Sequence, residues 1–399
     1  MSGGSRMLSF SPEARTGLYY SFAFSSMGVT SAYFAIWLFE KGISASDTGI
    51  ISSVPIFIML AVNMVVGRIA DRARDWRSVV VVGSMLSGVM SIGLFFVDEF
   101  WGILIFWTLT AIPIAAALPV LDAAAVRMTR RNGTEYGKIR AWGTLGFMGS
   151  LAATGYIVAW FGSWIFVPLM VLTSVLRGVF SLQLPRFRAP EGERIVPAAF
   201  VASHVRELFR LWFILPVLGI SLVFSTLFIL NIFVALVWKG SGISEPAIGA
   251  LLATGALSEA ILMFMFKGFA SRFSARHLLL AAAIVTAIRW ALMALNPPVW
   301  ALFLLQLLHG ISFGFGFLGV VNFIANWTSE DMAAEAQSLS VVLQQGASVV
   351  TLVGFGFLFQ IMGIDAFFIA AGLCALGALF VWLSLLLKSS NSEIENGPA

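Results

Sequence analysis

Asp122, Arg140, Glu259, Arg289, Gln306 and His309 stand inside or at the edge of stretches otherwise apolar enough to cross a bilayer. A charge at the centre of a membrane helix costs about 2.5 to 3.5 kcal/mol on insertion scales, so each of these groups needs a partner or a task. An arginine offers a forked donor to a carboxylate or to hydroxyls, and an aspartate beside it can hold that fork and accept a proton from a solute. Asp122 and Arg140 are therefore candidate solute ligands. A carboxylate that gains and loses its charge while a cation approaches is the expected proton carrier, which points to Glu259 with Arg289, and to Asp122 second. His309 can relay a proton or bond a solute, as can the amide of Gln306 one helical turn earlier. Tyr20 on the first apolar segment and Trp142 beside Arg140 complete the candidate ligands, one by its hydroxyl and one by stacking on a ring.

Each assignment has a structural counterpart. Asp122 and Arg140 could form an ion pair joining the fourth and fifth helices, and an intramembrane histidine could be a satisfied structural group. The hydroxyls could serve helix–helix hydrogen bonds. The sequence contains neither a glycine-rich phosphate loop ending in Gly-Lys-Ser or Gly-Lys-Thr nor a His-Glu-x-x-His pair, so no nucleotide, metal or other cofactor is expected. His309 with Ser312 is the one nucleophile–base neighbour pair noted, and an enzyme is not expected.

The elements that carry these residues follow from composition. With 59% hydrophobic and 11% charged residues over 399 positions, against about 25% charge in a soluble globule, the chain is an integral membrane protein. Cys374 is its single cysteine, so no disulfide framework is available. The net charge of +4 sits in loops and reads as topology, not nucleic-acid affinity. Runs of about 20 apolar residues mark about twelve crossings, including 100–126 with Asp122, 140–161 with Arg140, 248–266 with Glu259, 278–295 with Arg289 and 300–325 with Gln306 and His309. Residues 1–15 lack the pattern of a signal peptide. Every second loop is basic, as with Arg68, Arg72, Arg74 and Arg77, whereas the opposite loops hold Lys41 and Lys239. That alternation predicts both termini in the cytoplasm of a cell with this chain in its inner membrane.

Residues 185–210 are dense in proline and charge and predict a cytoplasmic linker between a bundle over 1–184 and one over 211–399. Ile43-Ser44 followed by Gly49 recurs as Ile243-Ser244 followed by Gly249, which supports two pseudo-symmetric six-helix bundles. Gly143, Gly146 and Gly149 keep one face of the fifth helix thin for close packing.

The segment Gly67-Arg68-Ile69-Ala70-Asp71-Arg72 resembles the signature loop of the major facilitator superfamily, in which Gly67, Asp71 and Arg72 would act as a conformational latch. Within that superfamily the chain resembles the lactose permease branch of oligosaccharide:proton symporters. Asp122 and Arg140, with Pro119 before the acid, match that branch's sugar-binding acid and arginine, and Arg289 and His309 match members of its proton-coupling cluster. Gln306 replaces its lysine and Ser312 its proton-carrying glutamate. That departure, with Glu259, is similar to the phenylpropionate and nucleoside permeases. The resemblance implies an all-α major facilitator fold and a monomeric, proton-coupled symporter whose partners are a small solute, protons and lipid. A small aromatic carboxylate such as phenylpropionate is the first expectation for substrate, with a sugar or nucleoside as the alternative. An uncoupled channel is the rival from another class.

Overall fold

In the structure, a computed structural model, residues 10–72, 75–187, 208–269, 273–328 and 330–388 are described, the side chains of 32, 63–72, 266–269, 330–331 and 333–334 excepted. The side chains of the expected latch, Gly67, Asp71 and Arg72, lie outside the described residues, as does most of 185–210.

The described elements are helices: α1 (Pro12–Glu40), α2 (Ala45–Arg72), α3 (Trp76–Ser91), α4 (Phe100–Asn132), α5 (Tyr136–Phe161), α6 (Phe166–Ser181), α7 (Leu211–Ile232), α8 (Val234–Gly240), α9 (Glu245–Phe269), α10 (Ala275–Ala294), α11 (Val299–Gly310), α12 (Gly316–Trp327), α13 (Glu330–Met362) and α14 (Ala366–Leu387). A helix satisfies its own backbone, which lipid cannot do. Ten described stretches are long and apolar enough to cross a bilayer, or eleven with the bent α1. The last of them, Glu335–Leu387, takes in most of α13 and all of α14, and α11 and α12 form one crossing through the π-turn Ile311–Phe315. The fifth crossing starts at Tyr136, not at residue 140, so Arg140 lies in its second turn.

The internal repeat is visible at its turns. Gly42 and Gly242 take φ of 80° and 82°, the left-handed region where glycine pays no Cβ penalty. After each, an isoleucine N–H reaches back to close the turn, Ile43 to the Leu38 carbonyl at 3.0 Å and Ile243 to the Trp238 carbonyl at 2.9 Å. The final helix of each half follows a 3-10 turn, Ser163–Ile165 after Gly162 and Gly363–Asp365 beginning at Gly363. Cations lock the cytoplasm-facing ends expected from the sequence. Arg77 donates to the Leu182 carbonyl at 2.5 Å, and Arg276 donates to the Ser384 carbonyl at 2.9 Å. Aromatic rings lie beneath Arg276 and beneath a further cation, Arg127, with Arg127 over Trp76 at 4.7 Å and Arg276 over Trp327 at 5.6 Å.

The chain forms two compact units, Met1–Ser31 with Ala61–Ile195, and Ala32–Leu60 with Val196–Ala399. The core of the first gathers Tyr19, Tyr20 and Ala23 of α1 with Trp76, Val80, Leu121, Ala124 and Ile139. Asp75 caps α3 by accepting from Arg77 N at 2.8 Å, and also from Phe187 N at 3.1 Å. Gly146 of α5 lies against the Ser21 backbone of α1, and Gly143 against Phe24, but a Cβ on Gly149 would meet nothing within 4 Å. The expected thin face therefore ends at Gly146.

In the second unit α7 packs against α13 and α14. Gly219 and Gly377 meet so closely that a Cβ on either would stand 2.6 Å from the other's carbonyl oxygen. Residues 32–60 make a similar contact with α13. A Cβ on Gly49 would lie 2.5 Å from the Leu352 carbonyl oxygen, and one on Gly356 would lie 2.6 Å from that of Ala45. Ser46 Oγ donates to Gln360 Oε1 at 2.7 Å, and Lys239 pairs with Glu40 at 2.5 Å and Glu245 at 3.3 Å. Small residues at such crossings replace the hydrophobic effect, which is weak between helices in lipid, by close backbone approach.

Candidate functional site

In the first unit Asp122 stands on α4 three residues beyond Pro119, where the helical ladder lacks a donor. Its Oδ1 accepts from Tyr20 Oη of α1 at 2.5 Å and from Tyr136 Oη of α5 at 2.9 Å. Tyr20 is fully buried and Tyr136 half-buried. Arg140, one turn along α5 from Tyr136, lays its guanidinium 4.0 Å above the Phe24 ring and 5.6 Å from that of Tyr20. Gly143 makes room for this, since a Cβ there would be 3.0 Å from both Arg140 Nη1 and Phe24 Cδ2. Among the described residues no ion pair joins Asp122 to Arg140, so the direct pair considered from the sequence is not what holds the aspartate. Two phenols hold it, and the arginine rests on aromatic faces with no hydrogen bond or ion pair to a protein acceptor among the described residues.

Trp142 is turned away from this cluster. Two residues on a helix are about 200° apart, and Trp142, 53% exposed, covers Gly17 and lines a groove with Phe10, Ser11, Glu13 and Leu18. Adjacency to Arg140 in sequence misled.

In the second unit His309 stands between the two residues expected to pair. Arg289 Nη1 lies 3.2 Å from His309 Nδ1, and His309 Nε2 lies 3.8 Å from Glu259 Oε2. A guanidinium can only donate, so Nδ1 is an acceptor and the ring proton sits on Nε2, facing the glutamate. Ser258 Oγ accepts from Gly310 N at 2.9 Å, fixing the end of α11 against α9, and the π-turn begins at the next residue. Gly310 itself is pressed against α9, because a Cβ there would be 2.6 Å from the Ser258 carbonyl. Arg289 and Gln306 are both fully buried. Trp290, next to Arg289, donates to Thr226 Oγ1 at 3.0 Å and stacks on Phe367, which makes it packing and not a ligand.

Tyr136, Phe24, Ser258 and Gly255 had no distinguishing signal in the sequence. Arg177 did, and it was missed. This cation lies within the apolar sixth crossing, is 3% exposed, and donates to Ser87 Oγ at 2.5 Å. Tyr19 beside it bonds Ser84 at 2.5 Å. Among the described residues no cluster of side chains fit for a metal ion occurs.

A multi-pass all-helical chain with a doubled architecture, and with acid, arginine and histidine groups set inside its crossings, defines a membrane transporter of the major facilitator fold. The chain belongs to the MFS_1 like family, whose model matches residues 15–386. It is a transporter of a small organic solute and not an enzyme. The maltose permease of Geobacillus stearothermophilus is 25% identical over 382 residues, covering 95% of each chain. A probable 3-phenylpropionic acid transporter of Escherichia coli (strain K12) is 26% identical over 376 residues, covering 91% of this chain and 95% of that one. The crystal structure of the nucleoside transporter NupG superposes with a TM-score of 0.82 at 16% identity, over 94% of this chain and 99% of the other. The chain is thus similar to sugar and aromatic-acid permeases alike and shares its fold with a nucleoside transporter, which supports the major facilitator relationship expected from the sequence and singles out no one branch among the permeases it resembles.

Proposed function

We propose that this protein is a proton-coupled symporter of a solute built on a sugar ring, an oligosaccharide or a nucleoside, working by alternating access in a cell's inner membrane. The supporting observation is the cluster of Asp122, Tyr20, Tyr136 and Arg140 on Phe24. It combines one negative and one positive charge with phenolic hydroxyls and an aromatic face. Such a site is neutral overall. It offers both acceptors and donors, which suits vicinal hydroxyls, whereas a carboxylate solute would need an uncompensated cation. This moves the aromatic carboxylate behind the sugar or nucleoside, in keeping with kinship to a maltose permease and likeness to a nucleoside transporter.

Glu259 takes the co-transported proton and His309 holds it in register. With Arg289 occupying Nδ1, the ring presents only Nε2–H to the carboxylate, and closing the 3.8 Å gap to hydrogen-bond distance accompanies the change in charge of Glu259. The protein works as a monomer with both termini in the cytoplasm, its two six-helix halves joined through 185–210, and the loop with Gly67, Asp71 and Arg72 latching one state. The test is external pH in de-energised proteoliposomes. Addition of maltose or uridine should alkalinise the outer medium as protons enter with the solute. Solute flux without a pH change would leave a channel or uniporter.

A further inference from the structure

Among the described residues, four buried polar atoms without a hydrogen-bond partner belong to the two side chains that neighbour His309: Arg289 Nε and Nη2, and Gln306 Nε2 and Oε1. Buried polar atoms in folded proteins are nearly always paired, so a group of orphans on two neighbouring side chains marks a place made for something else. Gln306 and His309 lie together over Gly255, where a Cβ would stand 3.0 Å from Gln306 Oε1 and 3.5 Å from His309 Cδ2. Arg289 reaches the same imidazole with Nη1, 3.2 Å from Nδ1. Its Nε and Nη2 form the other edge of the guanidinium, the side-on fork that binds two oxygens at once. Phe313, with its centroid 6.3 Å from that of His309, supplies an apolar wall.

We infer that Arg289 and Gln306 form a subsite for a lactam-bearing nucleobase, a flat ring on which an N–H adjoins ring carbonyls, as in uracil. This inference rests on the sugar-ring assignment above and narrows it to nucleosides. The orphan carbonyl Oε1 of Gln306 decides between ligands. A carboxylate would occupy the donors of both side chains but has no proton to give Oε1. A lactam gives its N–H to Oε1 and takes hydrogen bonds on its carbonyls from the Gln306 amide and the Arg289 fork, so one ligand satisfies all four atoms. Sugar hydroxyls could satisfy them singly, yet they lack a flat face to lie against Phe313. In the conformation described both side chains are fully buried, so the base enters as the local packing opens beside the π-turn, a helix defect that recurs at functional sites.

The experiment is a thermal-melting titration of the purified full chain with uridine, 3-methyluridine, maltose and 3-phenylpropionate. Uridine should stabilise the protein, and methylation at N3, which removes the one ring N–H donor, should weaken binding about ten- to a hundredfold by leaving Oε1 unpaired. Gln306→Leu should bring uridine and 3-methyluridine to equal affinity, a change in discrimination that mere structural loss would not produce. If that variant does not fold, the ratio between the two nucleosides on the unaltered protein still decides. Equal binding of uridine and 3-methyluridine would overturn the subsite. Stabilisation by maltose but not uridine would overturn it while leaving the sugar-ring assignment standing. Stabilisation by 3-phenylpropionate alone would remove both.

Discussion

The two phenols on Asp122 differ in a way that can be measured. Tyr20→Phe and Tyr136→Phe each remove one hydroxyl and keep the ring, so packing is preserved and only a hydrogen bond to a carboxylate is lost. Such a charge-assisted bond contributes about 1.5 to 3 kcal/mol where water cannot replace it. Tyr20 is fully buried and bonds at 2.5 Å, whereas Tyr136 is half-buried and bonds at 2.9 Å. Water can take the place of the second hydroxyl but not the first. At about 1.4 kcal/mol per tenfold, Tyr20→Phe should raise the solute KM about ten- to a hundredfold. Tyr136→Phe should change it by less than about fivefold, because a hydrogen bond replaced by solvent is worth about 1 kcal/mol or less. Relieved of one donor, Asp122 is expected to turn to Arg140 and withdraw both groups from the solute. Initial-rate uptake in proteoliposomes at fixed pH gives both values. An equal or larger effect of Tyr136→Phe, or an unchanged KM in Tyr20→Phe, would refute the idea that the buried phenol positions this carboxylate.

Other outcomes follow from the same geometry. Glu259→Gln should abolish solute accumulation against a gradient while leaving solute exchange at near the unaltered rate, as measured by counterflow; accumulation that persists assigns the proton elsewhere. Ser46→Cys with Gln360→Cys should be joined readily by a short bifunctional thiol reagent in membranes, and adding Gly49→Val should suppress that product, because the new side chain meets the Leu352 backbone. Trp76→Arg should lower the melting temperature by setting a second cation against Arg127, and Trp76→Arg combined with Arg127→Trp should restore most of it. A double variant no better than the single would show that the ring serves a different neighbour.

Much of the architecture was legible because lipid restricts the options. Long apolar runs between basic loops can only be helices, and the repeated Ile-Ser pair gave away turns that match down to a glycine with positive φ. Side-chain partnerships were less legible. The charges at Asp122, Arg140, Glu259 and Arg289 announce themselves against an apolar background, but the sequence suggested that opposite charges would seek each other. Instead Asp122 is held by tyrosines from two other helices, and an imidazole stands between Arg289 and Glu259. Those arrangements depend on helix rotation and depth, which spacing within one segment does not give. Trp142 shows the same limit from the other side, since its neighbour Arg140 faces elsewhere on α5. Arg177 could have been found by the rule that raised the others, because it too is a cation inside an apolar crossing.

The rings under the end cations have a wider implication. Trp76 and Arg127 in one half correspond to Arg276 and Trp327 in the other, with the two partners exchanged. Descent from a duplicated gene would then have conserved a pairing while losing the identity of both members. Anyone aligning the halves column by column would score these places as two mismatches, although together they record a single surviving constraint.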